Sequence, residues 1–336
     1  MGDTGRDPLI ESVTSAVVGV TDFGPHLDLF CGELGFEVAA RGVVEAADAE
    51  RLWGAGLGDV EAVLLTAAGA STGRVHLLKA DGAAAPAEHP HTLDVGLAGL
   101  NLYTRDIEAS HERLAGAGHP WISAPATYEV PLGGAVVSVT EGYCLGPDGL
   151  GLVFVQPANA RGTQAWRTDP GRHYTELTSV VAHVPDFEAE LAFWGPAGLG
   201  LSAWYDVTFS SPGIEEMAGL PAGTVLRLAF VAGAGSGSTR IELTRVESGH
   251  RGVDRRAAQR PARGLGHTGW SVRTGDADAA VRRARATGGR VVCPAFDTST
   301  PLHGRARLAV VETPNGISVE IWQPFCRPKR RRSSRK

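Results

Sequence analysis

His267 stands in GHTGWSV, residues 266–272, a stretch that alternates as a half-buried strand does. Thr268, Trp270 and Val272 fall on one face, and His267, Gly269 and Ser271 on the other. A histidine beside two of the smallest residues has space left around its ring. By itself it is either a hydrogen-bonded core residue or a ligand. Glu320 lies in an apolar strand, ISVEIW, where an unpaired carboxylate is costly to bury; a metal or a cationic partner resolves that cost. Trp322 shares the face of Glu320 and either walls a pocket or fills the core. Glu242 sits between charges in RIELTR. His183 shares a face with Ser179 about 13 Å along the strand, so it reads as a cavity-lining acid or base, or as a strand-end residue.

These residues belong to a chain of 336, long enough for two domains, with 43% hydrophobic and 21% charged residues. No apolar run approaches the ~20 residues that span a bilayer, and the first residues lack a secretory pattern. The four cysteines are scattered, with no C-x-x-C pair, which reads as free thiols of a cytoplasmic protein. The formal charge is −5, yet seven of the 32 basic groups lie in the last ten residues, RPKRRRSSRK. The body therefore sits near −12, which argues against a nucleic-acid partner, and residues 327–336 read as a disordered basic tail. No membrane partner is expected either, and a homodimer is left open.

An internal repeat positions the candidate residues. PDGLGLVFVQP (147–157) and PNGISVEIWQP (314–324) end two segments alike; TSAVVGVTDF (14–23) and TSVVAHVPDF (178–187) open two others, each closed by an Asp suited to cap a helix. GLAG (96–99) and GLGH (264–267) open a further matching pair. The chain holds four units of about 80 residues, each reading strand, helix, then several strands. First-to-last-strand separations alternate long and short, which implies duplication of a long–short pair. The expected modules are 12–80, 94–157, 173–247 and 264–325, paired in chain order into domains 1–158 and 173–326.

Four βαβββ units in two pairs resemble the vicinal oxygen chelate superfamily of glyoxalases, extradiol dioxygenases and bleomycin-resistance proteins. LFCGELGF (29–36), RIEL (240–243) and the PNGISVEIWQP ending carry the likeness further. The resemblance implies an α+β fold in which module pairs form glyoxalase-like cupped sheets, with metal ligands on the first and last strands of each module. Carried over, the N-terminal positions hold Ser15, His76, Gly99 and Val153, too few ligands for a site, so His76 reads as structural. The C-terminal positions hold Ser179, Glu242, His267 and Glu320. The implied metal set is His267, Glu320 and Glu242, holding one divalent ion of Fe, Mn, Ni, Co or Zn. Ser179, Gly269, Ser271 and Trp322 would line the substrate pocket, and Glu242 and His183 would do acid–base work.

The function expected on this basis is a metal-dependent isomerase, epimerase or lyase acting on a small oxygenated metabolite in the C-terminal cup. A metal-free small-molecule binding or resistance protein is the alternative. An extradiol-type dioxygenase is a third reading, which two histidines and one glutamate would support and which Ser179 counts against.

Overall fold

The structure is a computed structural model describing residues 9–80, 92–132, 134–157, 163–233, 239–250 and 252–325. The tail expected at 327–336 lies outside the described residues. Four modules follow one another. Module 1 is β1 (Ile10–Val20), α1 (Phe23–Leu27), β2 (Glu37–Val44), α2 (Ala46–Trp53), β3 (Val60–Thr66) and β4 (Arg74–Lys79). Module 2 is β5 (Gly96–Thr104), α3 (Ile107–Gly116), β6 (Ala126–Leu132), β7 (Ala135–Leu145) and β8 (Gly151–Gln156). After the connecting α4 (Gln164–Thr168), module 3 is β9 (Tyr174–His183), α5 (Phe187–Trp194), β10 (Ser202–Phe209), α6 (Pro212–Ala218), β11 (Leu226–Ala232) and β12 (Arg240–Val246). Module 4 is β13 (Gly266–Thr274), α7 (Ala277–Ala286), β14 (Arg290–Thr300), β15 (Gly304–Glu312) and β16 (Ser318–Pro324).

Each first strand stops at an aspartate that caps the next helix. Asp22 accepts from the Gly24 N–H, and Asp106, Asp186 and Asp276 accept from the N–H groups of Ala109, Ala189 and Ala279. Each cap satisfies a donor that the helix cannot pair internally. The long–short alternation has a structural cause: modules 1 and 3 insert an extra helix, α2 or α6, between their second and third strands.

The modules form two eight-stranded sheets, but not in the expected pairing. One sheet runs β14-β15-β16-β13-β1-β4-β3-β2 and joins module 1 to module 4; the other runs β10-β11-β12-β9-β5-β8-β7-β6 and joins module 2 to module 3. The first strands pair antiparallel, Ser15 opposite Ser271 in one sheet and Asn101 opposite Ser179 in the other. Division into 1–158 and 173–326 therefore cuts both sheets. Close backbone contact accompanies the cross-pairing: a Cβ on Gly19 would lie 1.8 Å from the Gly264 carbonyl oxygen, so only glycine fits there.

One large apolar core, including Trp194, Trp270, Phe154 and Phe187, joins residues of both sheets to α3, α5 and α7. Two smaller clusters fill the concave faces. In the first cup, of modules 1 and 4, α2 packs against β14 and β15; in the second, of modules 2 and 3, α6 packs against β6 and β7.

Because both sheets cross the midpoint of the chain, residues 1–158 and 163–336 expressed separately each lack half of each sheet. Neither fragment alone should give a cooperative denaturant transition, and the mixture should. Two fragments that each unfold cooperatively would contradict the cross-pairing.

Candidate functional site

Cross-pairing changes which residues meet. Three side chains converge in the first cup: His76 on β4, Glu320 on β16 and His303 in the turn between β14 and β15. One ligand atom from each lies within 4.8 Å of the others. His76 Nδ1 is 3.8 Å and His303 Nε2 3.7 Å from Glu320 Oε2, and the two rings meet edge to face at 5.1 Å. All three side chains are buried.

Their supports are specific. The Trp53 indole donates to Glu320 Oε1 at 3.0 Å, leaving Oε2 turned to the histidines. Thr300 Oγ1 lies 3.2 Å from His303 Nδ1, and Ser271 Oγ 3.1 Å from His303 Nε2. Burial holds both imidazoles neutral by pulling each down to about 3, with Arg74 adding to the effect, so these contacts are not ion pairs. Burial raises the Glu320 carboxyl above its ordinary range. Four buried polar atoms here have no hydrogen-bond partner: both ring nitrogens of His76, Glu320 Oε2 and Ser15 Oγ. Such groups are costly unless something fills the gap.

His267 is not in this cluster. The pairing of β1 with β13 slips between Val17–Gly269 and Val18–His267, leaving Thr268 as an extra residue. The bulge breaks the alternation and carries His267 to the face of Trp270, whose indole donates to His267 Nε2 at 2.9 Å. His267 Nδ1 meets the Ala98 carbonyl at 3.1 Å. Both nitrogens are thus engaged, as in a core histidine. Gly269 has a packing reason too: a Cβ there would come 2.9 Å from the Ser318 carbonyl oxygen. Of the expected pocket residues, Ser271 and Trp322 border the His76–His303–Glu320 cluster, the Trp322 ring lying tilted 5.3 Å from the His303 ring.

Glu242 belongs to the other sheet, so the set His267, Glu320 and Glu242 is not assembled: modules 3 and 4 do not share a sheet. Glu242 and His183 instead line a cavity of about 360 Å³ in the second cup. Its walls include Tyr128, Trp204, Tyr205 and Phe230, the last two stacked at 5.3 Å. At its floor Asn101 Nδ2 donates to Glu242 Oε2 at 2.9 Å, and Tyr128 donates to Glu141 at 2.6 Å. Burial, reinforced by Glu141, raises Glu242 to about 7. His183 is held neutral by burial, which lowers it to about 4, and its Nδ1 contacts Thr244 at 2.8 Å. Ser179 is buried beside this floor, opposite Asn101, without lining the cavity.

Comparison with solved structures places this architecture. Glyoxalase I from Zea mays superimposes with a TM-score of 0.59 at 16% identity, covering 93% of this chain and 92% of its own. A provisionally assigned dioxygenase from Bacillus subtilis gives 0.60 at 13% identity, covering 96% and 87%. No family model and no curated protein sequence matches the chain. At such identities the likeness carries the fold alone: two cupped sheets of four βαβββ modules. The chemistry rests on this chain's own residues.

His303 left no mark in the sequence reading, because it sits in a turn, TPLHGR, outside the first- and last-strand positions. His76 has no ligand partner among the module 2 positions Gly99 and Val153; the pairing of module 1 with module 4 joins it to Glu320.

Replacing His267 by alanine removes the acceptor of a buried indole N–H. The variant should lose about 1–3 kcal/mol of stability in denaturant titration. A neutral result would contradict the structural role assigned to this ring.

Proposed function

We propose that this chain, built on the vicinal oxygen chelate fold, is a divalent-metal-dependent enzyme whose metal is held by His76, His303 and Glu320 in the first cup. The observation that supports this is the set of buried polar atoms without partners on and around those three residues. The donor set fits a metal on chemical grounds. Both imidazoles are neutral; the ring nitrogens of His76 have no partner, His303 Nε2 would exchange its Ser271 contact for the ion, and a bound cation would favour ionised Glu320. Two imidazoles and one carboxylate suit Fe(II), Mn(II), Ni(II), Co(II) or Zn(II).

The surrounding residues have distinct tasks. The Trp53 indole holds Glu320 by one oxygen and fixes the direction of the other. The Thr300 hydroxyl, 3.2 Å from His303 Nδ1, would anchor that nitrogen and leave Nε2 toward Glu320. Ser15 and Ser271, opposite each other on the two first strands, are too small to close the remaining sides. Their hydroxyls can hydrogen-bond a substrate oxygen. His76, His303 and Glu320 would hold the ion, which would supply Lewis-acid polarisation of a substrate oxygen. This suits isomerisation, epimerisation or elimination on a small oxygenated molecule. Glu242 lies in the other cup and takes no part in this chemistry.

A second reading, an Fe(II) oxygenase, gains from the same three residues. Two histidines and one carboxylate make the ligand set that Ser179 was expected to deny it, the second imidazole coming from the hairpin residue His303.

Titration of apo-protein with Zn(II), Mn(II) and anaerobic Fe(II) tests the metal centre. Wild type should bind about one ion per chain. His76→Ala, His303→Ala and Glu320→Gln should each weaken binding by at least about a hundredfold, since outer-shell losses alone cost up to that much. His267→Ala should bind like wild type. Absence of binding, or alanine variants at 76 and 303 that match wild type, would reduce the first cup to a buried polar cluster and favour a metal-free binding protein.

A further inference from the structure

The second cup has the same strand plan as the first with different residues on its floor. Glu242 stands in register where the first cup has His76: Val181 faces Glu242 across β9 and β12 as Val17 faces His76 across β1 and β4. Val153 stands where the first cup has Glu320, each opposite the central residue of its first strand, Asn101 or Ser271. No metal-ligand cluster forms here among the described residues. What forms is a cavity of about 360 Å³, large enough for a compact ring system.

Its polar floor is unbalanced. Two carboxyl groups, Glu141 and Glu242, face it with a single guanidinium, that of Arg240. Arg240 lies 4.2 Å over the Phe230 ring and donates to the Tyr103 hydroxyl at 3.2 Å, while its Nε has no partner and it donates no hydrogen bond to either carboxyl among the described residues. Asn101, only 6% exposed, spends its amide N–H on Glu242, and its Oδ1 has no donor. The remaining titratable groups on the cavity wall do not supply a cation. Tyr128 is engaged with Glu141, Tyr205 is raised by burial, and His183 is held neutral. The floor is thus rich in acceptors and one positive charge short, beneath aromatic walls. Anionic ligands would meet two carboxyls, and purely apolar ones would leave Asn101 Oδ1 without a donor.

We propose that the second cup binds a small aromatic amine as its cation, with the ammonium hydrogen-bonded to Glu242 and Asn101 Oδ1 and the ring system among Tyr128, Trp204, Tyr205 and Phe230. The site is independent of the metal centre in the first cup and stands whether or not that centre exists. In the free protein a proton on Glu242 offsets the charge imbalance, because burial and Glu141 together raise that carboxyl to about 7. The ammonium replaces this proton, so binding releases it. Glu242 is protonated below that value and ionised above it, so affinity rises with pH. For a group at about 7 the gain between about pH 6 and about pH 8 is roughly tenfold, while the amine itself stays protonated. Glu141, Arg240, Tyr103, Tyr128, Tyr143, Tyr205 and His183 are the charged or titratable groups that share the cavity with Glu242, and Glu141 and Arg240 act on Glu242 in opposite senses.

Calorimetry on the full chain tests this with three probes of matched shape: 2-naphthylmethylamine, 2-naphthalenemethanol and 2-naphthoate. The amine should bind at least about tenfold tighter than the alcohol at about pH 8, with no detectable naphthoate binding. Near neutrality, heats in buffers of different ionisation enthalpy should report proton release on amine binding. Glu242→Gln, matched in shape and tested for an unchanged melting temperature, should remove both the amine preference and the pH dependence. Glu242→Asp should keep the preference in weakened form. The proposal is overturned if the alcohol or naphthoate binds as tightly as the amine, if Glu242→Gln retains the preference, or if none of the three binds.

Discussion

The antiparallel pairing of first strands, β1 with β13 and β5 with β9, is the constraint on which the rest of the molecule depends. Each first strand runs parallel to the last strand of its own module and antiparallel to the first strand of its partner. The central strands of each sheet then present their alternate side chains to one concave face, where residues remote in sequence are brought close together. His76 and Glu320, 244 positions apart, meet for this reason alone. A different choice of partner would leave the same strands and helices in place but compose other sites.

The two cups share a scaffold and differ in filling. In the first, Leu52 and Trp53 of α2, Phe296, Leu308 and Trp322 close over the histidine–glutamate cluster. In the second, smaller valines at 153 and 155 occupy the positions of Glu320 and Trp322, and the space released forms the cavity above Glu242. Buried polar groups play opposite parts in the two. In the first they are two neutral imidazoles, a carboxyl and a hydroxyl, with His76, Glu320 Oε2 and Ser15 Oγ lacking partners; in the second they are acids left with one guanidinium between them. Both arrangements are costly to an empty protein, and each cost is relieved by a different kind of positive charge.

Much of the architecture was legible in the chain because it is local. Strand ends repeat as PDGLGLVFVQP and PNGISVEIWQP, helix caps repeat as Asp22 and Asp186, and the inserted helices explain the alternating module lengths. The partnership of modules was not legible, since nothing in the first strands marks which other first strand each will pair with, and the linkers are long enough for several partners. The misplacement of His267 has a narrower cause. Period-two reading puts it on the face of Ser271, but one extra residue at Thr268 turns it around, and a bulge of that kind has no reliable sign in a single sequence. Glu320 was legible because a carboxylate amid Ile, Val and Trp demands a partner. His303 was not, because turns were read for connectivity rather than for reach.

Anomalous diffraction from crystals grown with Mn(II) or Zn(II) would test the division between the cups most directly. The account predicts a single strong anomalous peak bonded to the nitrogens of His76 and His303 and to an oxygen of Glu320, with none beside Glu242. A peak on Glu242 or His267, or no protein-bound peak under saturating metal, would contradict it.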